Sequence, residues 1–342
     1  MDPLTYREAG VDIGAGDEAV RRIGPLAAST RRPEVLGGIG AFASFVALPA
    51  GYHEPVLVSS TDGVGTKLAV AFAADRHDTV GIDLVAMGVN DLLVHGAEPL
   101  YFLDYLAMHR VEPTRVEAIV AGVAEGCRRA GCALVGGETA EMSALYAPGE
   151  YDLAGFAVGV VERSGIVTGA GVAPGDRVLG LASSGLHSNG YTLARKVIFE
   201  RLGLKLGDTV PGLGRSIAEE LLEPTRIYVR PVLELIRSVP VIAMAHVTGG
   251  GITENLPRVL PEGCQAVIDA GAWPVPPIFR VIQEGGQVEE PEMRRTFNMG
   301  LGYLLVVRAG DADRAAGSLT AAGERVYEVG EIRHGTRSVR YA

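Results

Sequence analysis

The strongest hydrophobic pattern in the chain lies between Pro55 and Pro99. Val56, Leu57 and Val58 are apolar and β-favouring and run into Thr61-Asp62-Gly63, which predicts a strand that breaks at a turn. A helix is predicted next, with Asp78 or Thr79 as its N-cap and Gly96 as its stop. That helix is apolar almost all round, so burial on every side is expected. Its strongly polar exceptions are Asp83, Asn90 and Asp91. Asp83 and Asn90 share a face two turns apart, and Asp91 sits on its flank. A carboxylate in such surroundings needs a metal, a cation or several donors.

Further along, Leu100–Met108 reads as a strand, and Pro113 opens a helix with Val116, Ile119, Val120, Val123 and Cys127 as its apolar stripe. Gly131 ends that helix, Ala133-Leu134-Val135 forms a short strand, and Leu153–Val161 supplies another. Residues 162–176 are rich in glycine and mark a boundary, giving domains over 1–165 and 166–342. In the second domain the expected strands are Val178–Ala182, Val241–Val247, Met299–Val307 and Tyr327–Ile332. Expected helices are Leu193–Leu202, Ser216–Leu222 and Thr225–Arg237, the last interrupted near Pro231, with a rigid turn at Pro274–Pro277. The fold class is α+β, with two mixed α/β domains and helices flanking a mixed C-terminal sheet.

Composition narrows the partners. Hydrophobic residues make up 47% and charged residues 21% of the 342, an ordinary globular profile with room for about two domains. Lys plus Arg is 31 against Asp plus Glu 41, a net charge of −10. That argues against nucleic acid or a membrane surface as partner, yet leaves room for a phosphorylated substrate held by local glycines and a few cations. The three cysteines, Cys127, Cys132 and Cys264, form no C-x-x-C and read as buried free thiols in a reducing cytosol. The opening residues Met1–Gly16 carry no signal pattern, and no apolar run approaches membrane-spanning length, so a cytoplasmic protein is expected.

Candidate chemistry clusters at glycines. Gly63 and Gly65 let backbone N–H groups approach an anion, with Lys67 following as a point cation. Asp62, Lys67 and Asp91 beside them favour a magnesium–phosphate site over structural salt bridges. The run Gly136-Gly137-Glu138-Thr139-Ala140-Glu141 is either the second half of that metal site or an acidic helix start; a helical turn here points Glu138 and Glu141 the same way. Arg31 and Arg32 precede Gly37, Gly38 and Gly40 and read as a solvated basic pair before a turn. The spacing Gly38-x-Gly40-x-x-Ala43 lacks the strand before it and the acid after it that a dinucleotide fingerprint needs. Ser183-Ser184-Gly185-Leu186-His187-Ser188-Asn189-Gly190 suits a phosphate or a polar heterocycle, and no serine there has the glycines of a nucleophile elbow. His246-Val247-Thr248-Gly249-Gly250-Gly251 ahead of Thr253-Glu254-Asn255 resembles an anion-binding helix start. No Walker A, H-E-x-x-H or kinase glycine loop is present.

Together these motifs resemble a known family. Asp91-Leu-Leu-Val-His-Gly96-Ala97-Glu-Pro99 is similar to the D-x4-G-A-x-P signature of the ATP-using superfamily built around aminoimidazole ribonucleotide synthetase. Thr61–Lys67, Gly136–Met142, Ser184–Tyr191 and His246–Gly251, with Tyr6–Gly16 and Arg32–Phe42, resemble the phosphoribosylformylglycinamidine cyclo-ligase family itself, in order and over nearly the whole chain. The resemblance implies ATP-driven ring closure of formylglycinamidine ribonucleotide to aminoimidazole ribonucleotide, through an iminophosphate, in purine biosynthesis. It implies ATP and Mg2+ as cofactors and a homodimer whose N-terminal sheets join into a barrel, with ATP near the interface. The N-terminal domain then serves ATP and dimerisation, the C-terminal domain the substrate.

Carried over by residue, the resemblance implies that Asp62, Asp91 and Glu138 hold Mg-ATP. Gly37, Gly38, Gly40, Gly63, Lys67, Gly136 and Gly137 cradle the nucleotide. Ser184, Gly185, His187, Ser188, Asn189, Gly249 and Gly250 face the ribonucleotide, and His187, His246 and Asp62 are the catalytic candidates. One departure is that Arg22-Ile23 is followed by Gly24, where some members carry a lysine linked with ATP. Other superfamily members fit less well. A selenophosphate synthetase needs a reactive cysteine near the N-terminal glycine loop, and the first here is Cys127. A thiamine-phosphate kinase calls for a different pattern at 136–138 and no S-G-x-H-S-N-G loop. A non-catalytic scaffold on this fold tolerates loss of Asp62, Asp91 or His187, and all three are present.

Overall fold

A computed structural model of the chain describes residues 5–6 and 8–342. Residues 1–4 and 7 of the N-terminal stretch expected to lack a targeting signal lie outside the described residues. Helix α1 (Ile13–Ala28) leads into β1 (Pro55–Gly63), α2 (Leu68–Ala74), α3 (Val80–Val94), β2 (Glu98–Met108), α4 (Pro113–Ala130), β3 (Ala133–Glu141) and β4 (Tyr151–Glu162). The four strands form one sheet in the order β1-β4-β2-β3, parallel only between β2 and β3. Helices α3 and α4 cover one face. They approach closely because Gly81 and Gly122 lie at their crossing, where a Cβ on Gly122 sits 2.5 Å from the Asp78 carbonyl oxygen. Leu57 and Phe156 stay exposed at 57% and 43%.

The second half holds β5 (Arg177–Ala182), α5 (Tyr191–Arg195), α6 (Ile217–Leu221), α7 (Val229–Ile236), β6 (Val241–His246), α8 (Gly251–Asn255), β7 (Cys264–Ile268), α9 (Pro277–Gly286), α10 (Glu290–Thr296), β8 (Leu301–Val307), α11 (Ala312–Ala321), β9 (Val326–His334) and β10 (Ser338–Tyr341). Its six-stranded sheet runs β10-β7-β9-β5-β8-β6 and is mixed, as expected, with only β7 and β10 parallel. One large core continues from the N-terminal helices onto this sheet; a smaller one, around Trp273 and Ile252, fills its far side.

Helix α3 is the spine between the halves. Every side of it is packed, as its all-round apolar pattern predicts, and its polar residues clamp the second half. Asp83 accepts from the Thr225 N–H at 2.8 Å and hydroxyl at 2.6 Å. Asn90, on the same face, donates to the Arg226 carbonyl at 2.9 Å and accepts from the Tyr228 N–H at 3.1 Å. The 225–228 segment is therefore not helical: its backbone groups are spent on α3, and the helix begins at Val229, with Pro231 in a first turn that needs no donor there.

Two other expectations change. β1 does not break at Asp62-Gly63, since those residues pair with Gly155 and Ala154 of β4. β3 likewise runs on through Glu141 against β2, so no helical turn forms and Glu138 and Glu141, three apart, alternate across the strand.

Candidate functional site

The residues singled out by sequence fall into three places. The first is a cavity of about 270 Å3 between the halves, lined by Ser60, Asp91, His95, His246, Asn255 and Arg258. β6 ends at His246, and α3 presents Asp91 across the gap. His246 Nδ1 lies 2.9 Å from Asp91 Oδ1, while the Ser60 hydroxyl donates to Oδ2 at 3.2 Å. Burial pushes the Asp91 carboxyl up, but the His246 hydrogen bond and charge, the Ser60 hydroxyl and Arg258 together outweigh it and hold the group below its ordinary value. A carboxylate that accepts at Nδ1 leaves His246 Nε2 as the free nitrogen, and that atom is buried without a partner. Asp62, on β1, lies close enough to feel Asp91: burial and then that neighbouring charge raise its pKa, against the Gly63 N–H bond to Oδ1 at 2.7 Å.

The second place is the outer edge of β3. Gly40, Gly136, Gly137 and Glu138 line a cavity of about 630 Å3 walled by Ala19, Val20 and Ile23 of α1. Gly37 and Gly38 line a smaller one beside it, about 260 Å3. The third is an open cleft of about 540 Å3 where Gly65 and Thr66 meet Ser188 and Asn189. There the Gly249 N–H donates to Asn189 Oδ1 at 3.0 Å, and Asn189 Nδ2 is buried and unpartnered.

Several of the expected site residues are engaged in contacts of their own. Lys67 is not free for a phosphate: it is fully buried, with Nζ 2.8 Å from Asp83 Oδ2 and donating to the carbonyls of His187 at 3.1 Å and Glu223 at 2.6 Å. Burial pushes its pKa down and that of Asp83 up. His187 is closed off on both ring nitrogens. It is 1% exposed, Nε2 accepts from the Ser184 N–H at 3.2 Å, Nδ1 is enclosed, and burial drives its pKa well below the ordinary range. Its left-handed backbone, φ 62°, makes it the core of the 183–190 loop. Ser184 and Ser188 spend their hydroxyls on the carbonyls of Pro224, at 2.6 Å, and Val64, at 2.7 Å, and the Gly185 carbonyl is held by Asn298 at 2.9 Å. These bonds shape the loop, and Ser188 and Asn189 of it line the open cleft.

Within one chain Glu138 lies well away from Asp62. The register runs Asp62 to Gly155 to Asp104 to Gly137, so Glu138 is three strands from Asp62, roughly 14 Å at ~4.8 Å per strand. Among the described residues no group of three His, Cys, Asp or Glu side chains is placed to hold a metal. Arg32 is saturated by Glu34, Glu98 and the carbonyls of Pro99 and Gly131. The cysteines are free and buried, as expected.

Sequence reasoning passed over Ser60, His95 and Arg258 of the first cavity, and Asp104, the one acid in the Leu100–Met108 run. Only that last carried a visible signal.

Comparison with known proteins agrees with this two-sheet architecture. Residues 46–161 match the profile described as AIR synthase related protein, N-terminal domain, and 173–342 match the C-terminal domain of the same description. An ATP-using class of two mixed α/β domains is thus defined, and the chain belongs within it to the phosphoribosylformylglycinamidine cyclo-ligase family, ligases of purine biosynthesis that form C–N bonds. It is 58% identical over 330 residues, 96% of this chain and 95% of the other, to the phosphoribosylformylglycinamidine cyclo-ligase of Citrifermentans bemidjiense. Among solved structures, thiamine-monophosphate kinase from Stenotrophomonas maltophilia K279a superposes with a TM-score of 0.68 at 20% identity, covering 95% of each chain. Hydrogenase maturation protein HypE in complex with ATP gives 0.65 at 19%, over 92% of this chain and 88% of that one. At these identities the likeness speaks for the fold. Among the described residues no helix is long and apolar enough to cross a membrane.

Proposed function

We propose that this chain closes the imidazole ring of aminoimidazole ribonucleotide from formylglycinamidine ribonucleotide, and that the cavity between its halves is where the ring closes. The observation that carries this is His246, which lines that cavity and is oriented by Asp91 at Nδ1, its buried Nε2 left without a partner. ATP phosphorylates the formyl-amide oxygen; an amidine-side nitrogen then attacks the same carbon and expels phosphate. The attacking nitrogen must lose a proton, and His246 Nε2 is the acceptor, its tautomer fixed by Asp91. Because the nucleophile is tethered, what the chain adds is position and charge neutralisation.

Asp62 and Asp91 would hold Mg2+, which takes oxygen ligands, often one or two carboxylates with phosphate oxygens and water; bound there, it neutralises the transferring phosphoryl group. Asn189, Gly249 and Gly250 would hold the ribonucleotide from the C-terminal half. The nucleotide would lie in the β3 cavity, against Gly40, Gly136, Gly137 and Glu138, with Gly37 and Gly38 alongside. A homodimer reconciles the two places: in a barrel closed across a two-fold, the β3 edge meets the second copy's β1 edge, and the nucleotide reaches the acids there. A cytoplasmic location goes with this substrate.

Purified protein given formylglycinamidine ribonucleotide, ATP and Mg2+ is expected to yield the aminoimidazole product. Asp91→Asn should cut turnover by about 10²–10⁴-fold, since it removes both the orientation of the base and a metal ligand. Product absent, with ADP formed on thiamine phosphate instead, overturns the reading; wild-type turnover and Mg2+ dependence in Asp91→Asn overturn the site.

A further inference from the structure

We propose that Asp104 reads the nucleotide's base, accepting a hydrogen bond from the exocyclic amino group of adenine. This rests on the reading that the nucleotide occupies the β3 cavity.

Asp104 lies in β2 between Phe102 and Leu106, whose side chains are completely buried. It is 9% exposed, and among the described residues no group beyond its own backbone N–H bonds its carboxyl. Every other deeply buried acid here has found partners: Asp83 has Lys67 and Thr225, Asp176 has Arg308, Glu220 has Arg215, and Glu324 has Arg226. Asp104 instead lines the 630 Å3 cavity, beside Ala19, Val20, Ile23 and Ile39. Its cross-strand neighbour is Gly137, where a Cβ would come 2.4 Å from Asp104 Oδ1. The missing side chain keeps the carboxyl uncovered along the strand edge.

Burial without donors pushes its carboxyl up to about 7. An unpartnered carboxyl in apolar walls is costly, and a ligand donor is what repays that cost. The walls suit a flat heterocycle, and the donor such a base offers is an amino group. An acceptor oxygen is present whether the carboxyl is ionised or neutral, so the contact does not depend on its titration.

The test compares ATP with purine riboside triphosphate, which lacks the amino group, in the cyclisation assay. Wild type should favour ATP in kcat/KM by about 10–100-fold, the usual worth of one buried hydrogen bond whose loss strands its partner. Asp104→Leu should bring that ratio near one by losing on ATP, and Asp104→Asn, which keeps a carbonyl acceptor, should retain most of it. An unchanged ratio in Asp104→Leu overturns the proposal. So does a wild type indifferent to the amino group, which decides the matter even if Asp104→Leu fails to fold. Photolabelling with 8-azido-ATP separates this from the reading beneath it. Label on the residues that line the β3 cavity, with an unaltered ratio, sinks only the role of Asp104; label elsewhere sinks the nucleotide site as well.

Discussion

Lys67 and Asp83 form the most demanding arrangement in the molecule: an ion pair with both side chains at 0% exposure, joining α2's leading turn, α3 and the 223–225 segment. Removing one partner strands the other charge in a dry core. Lys67→Met should therefore cost roughly 3–5 kcal/mol of stability, and adding Asp83→Asn, which keeps an acceptor for Thr225, should recover much of it. Urea unfolding of the single and double variants checks this; equal losses in both would mean that stranded charge is not the cause. A lysine two residues after a glycine reads in sequence as a phosphate ligand. Its direction is set by Asp83, a helix away, and by carbonyls more than a hundred residues on, which no local spacing reveals. The cost of buried acids on α3 was legible, and so was the need for a cation or several donors. Which cation was not.

Where helices meet, glycine decides distance. Gly122 of α4 faces the Asp78 carbonyl, and Gly317 of α11 faces open space. Ala at a mid-helix glycine gains about 1 kcal/mol of propensity. Gly317→Ala should keep that gain, whereas Gly122→Ala should lose a net 1–3 kcal/mol or so, because the atom it meets is backbone and cannot swing aside. Opposite signs in denaturant midpoints are the expected result; the same sign at both positions would refute the steric account. The elements α3, α4, β2 and β4 were legible because α3 and β2 are long apolar runs, α4 carries a stripe and β4 alternates, and the helix ends carry Thr79, Gly96, Pro113 and Gly131. β3 was cut short because Gly136-Gly137 reads as a turn; only pairing with β2 holds those glycines extended. Helices α1, α2, α9, α10 and α11 went unread: α1 sits in a mixed stretch, α2 and α10 have only 7 residues each, and α9 was passed over although Ile278, Phe279 and Ile282 give it a clear apolar face.

The N-terminal sheet ends in two unpaired edges, β1 and β3, and its uncovered face carries Leu57 and Phe156. Exposed edges with apolar neighbours are a hazard that folded proteins cover or pair. Leu36, Phe42, Phe45 and Leu48 of the preceding loop are exposed as well, extending the apolar surface toward the β3 cavity. A second copy pairing edge to edge, as proposed above, would cover all of this at once. It would also bring the acids beside β1 next to the glycines of β3, which a single chain holds three strands apart. On the proposed reading the dimer would be a condition of activity, not an accessory. Leu57→Arg combined with Phe156→Arg, both solvent-facing in the single chain and so harmless to its core, should shift the sedimentation mass from two copies to one. Circular dichroism should stay unchanged while cyclisation falls by at least about 100-fold, as expected when half of a positioned site is withdrawn. A monomeric double variant with full turnover would show that one chain suffices and that the nucleotide reaches Asp62 and Asp91 by a path within it.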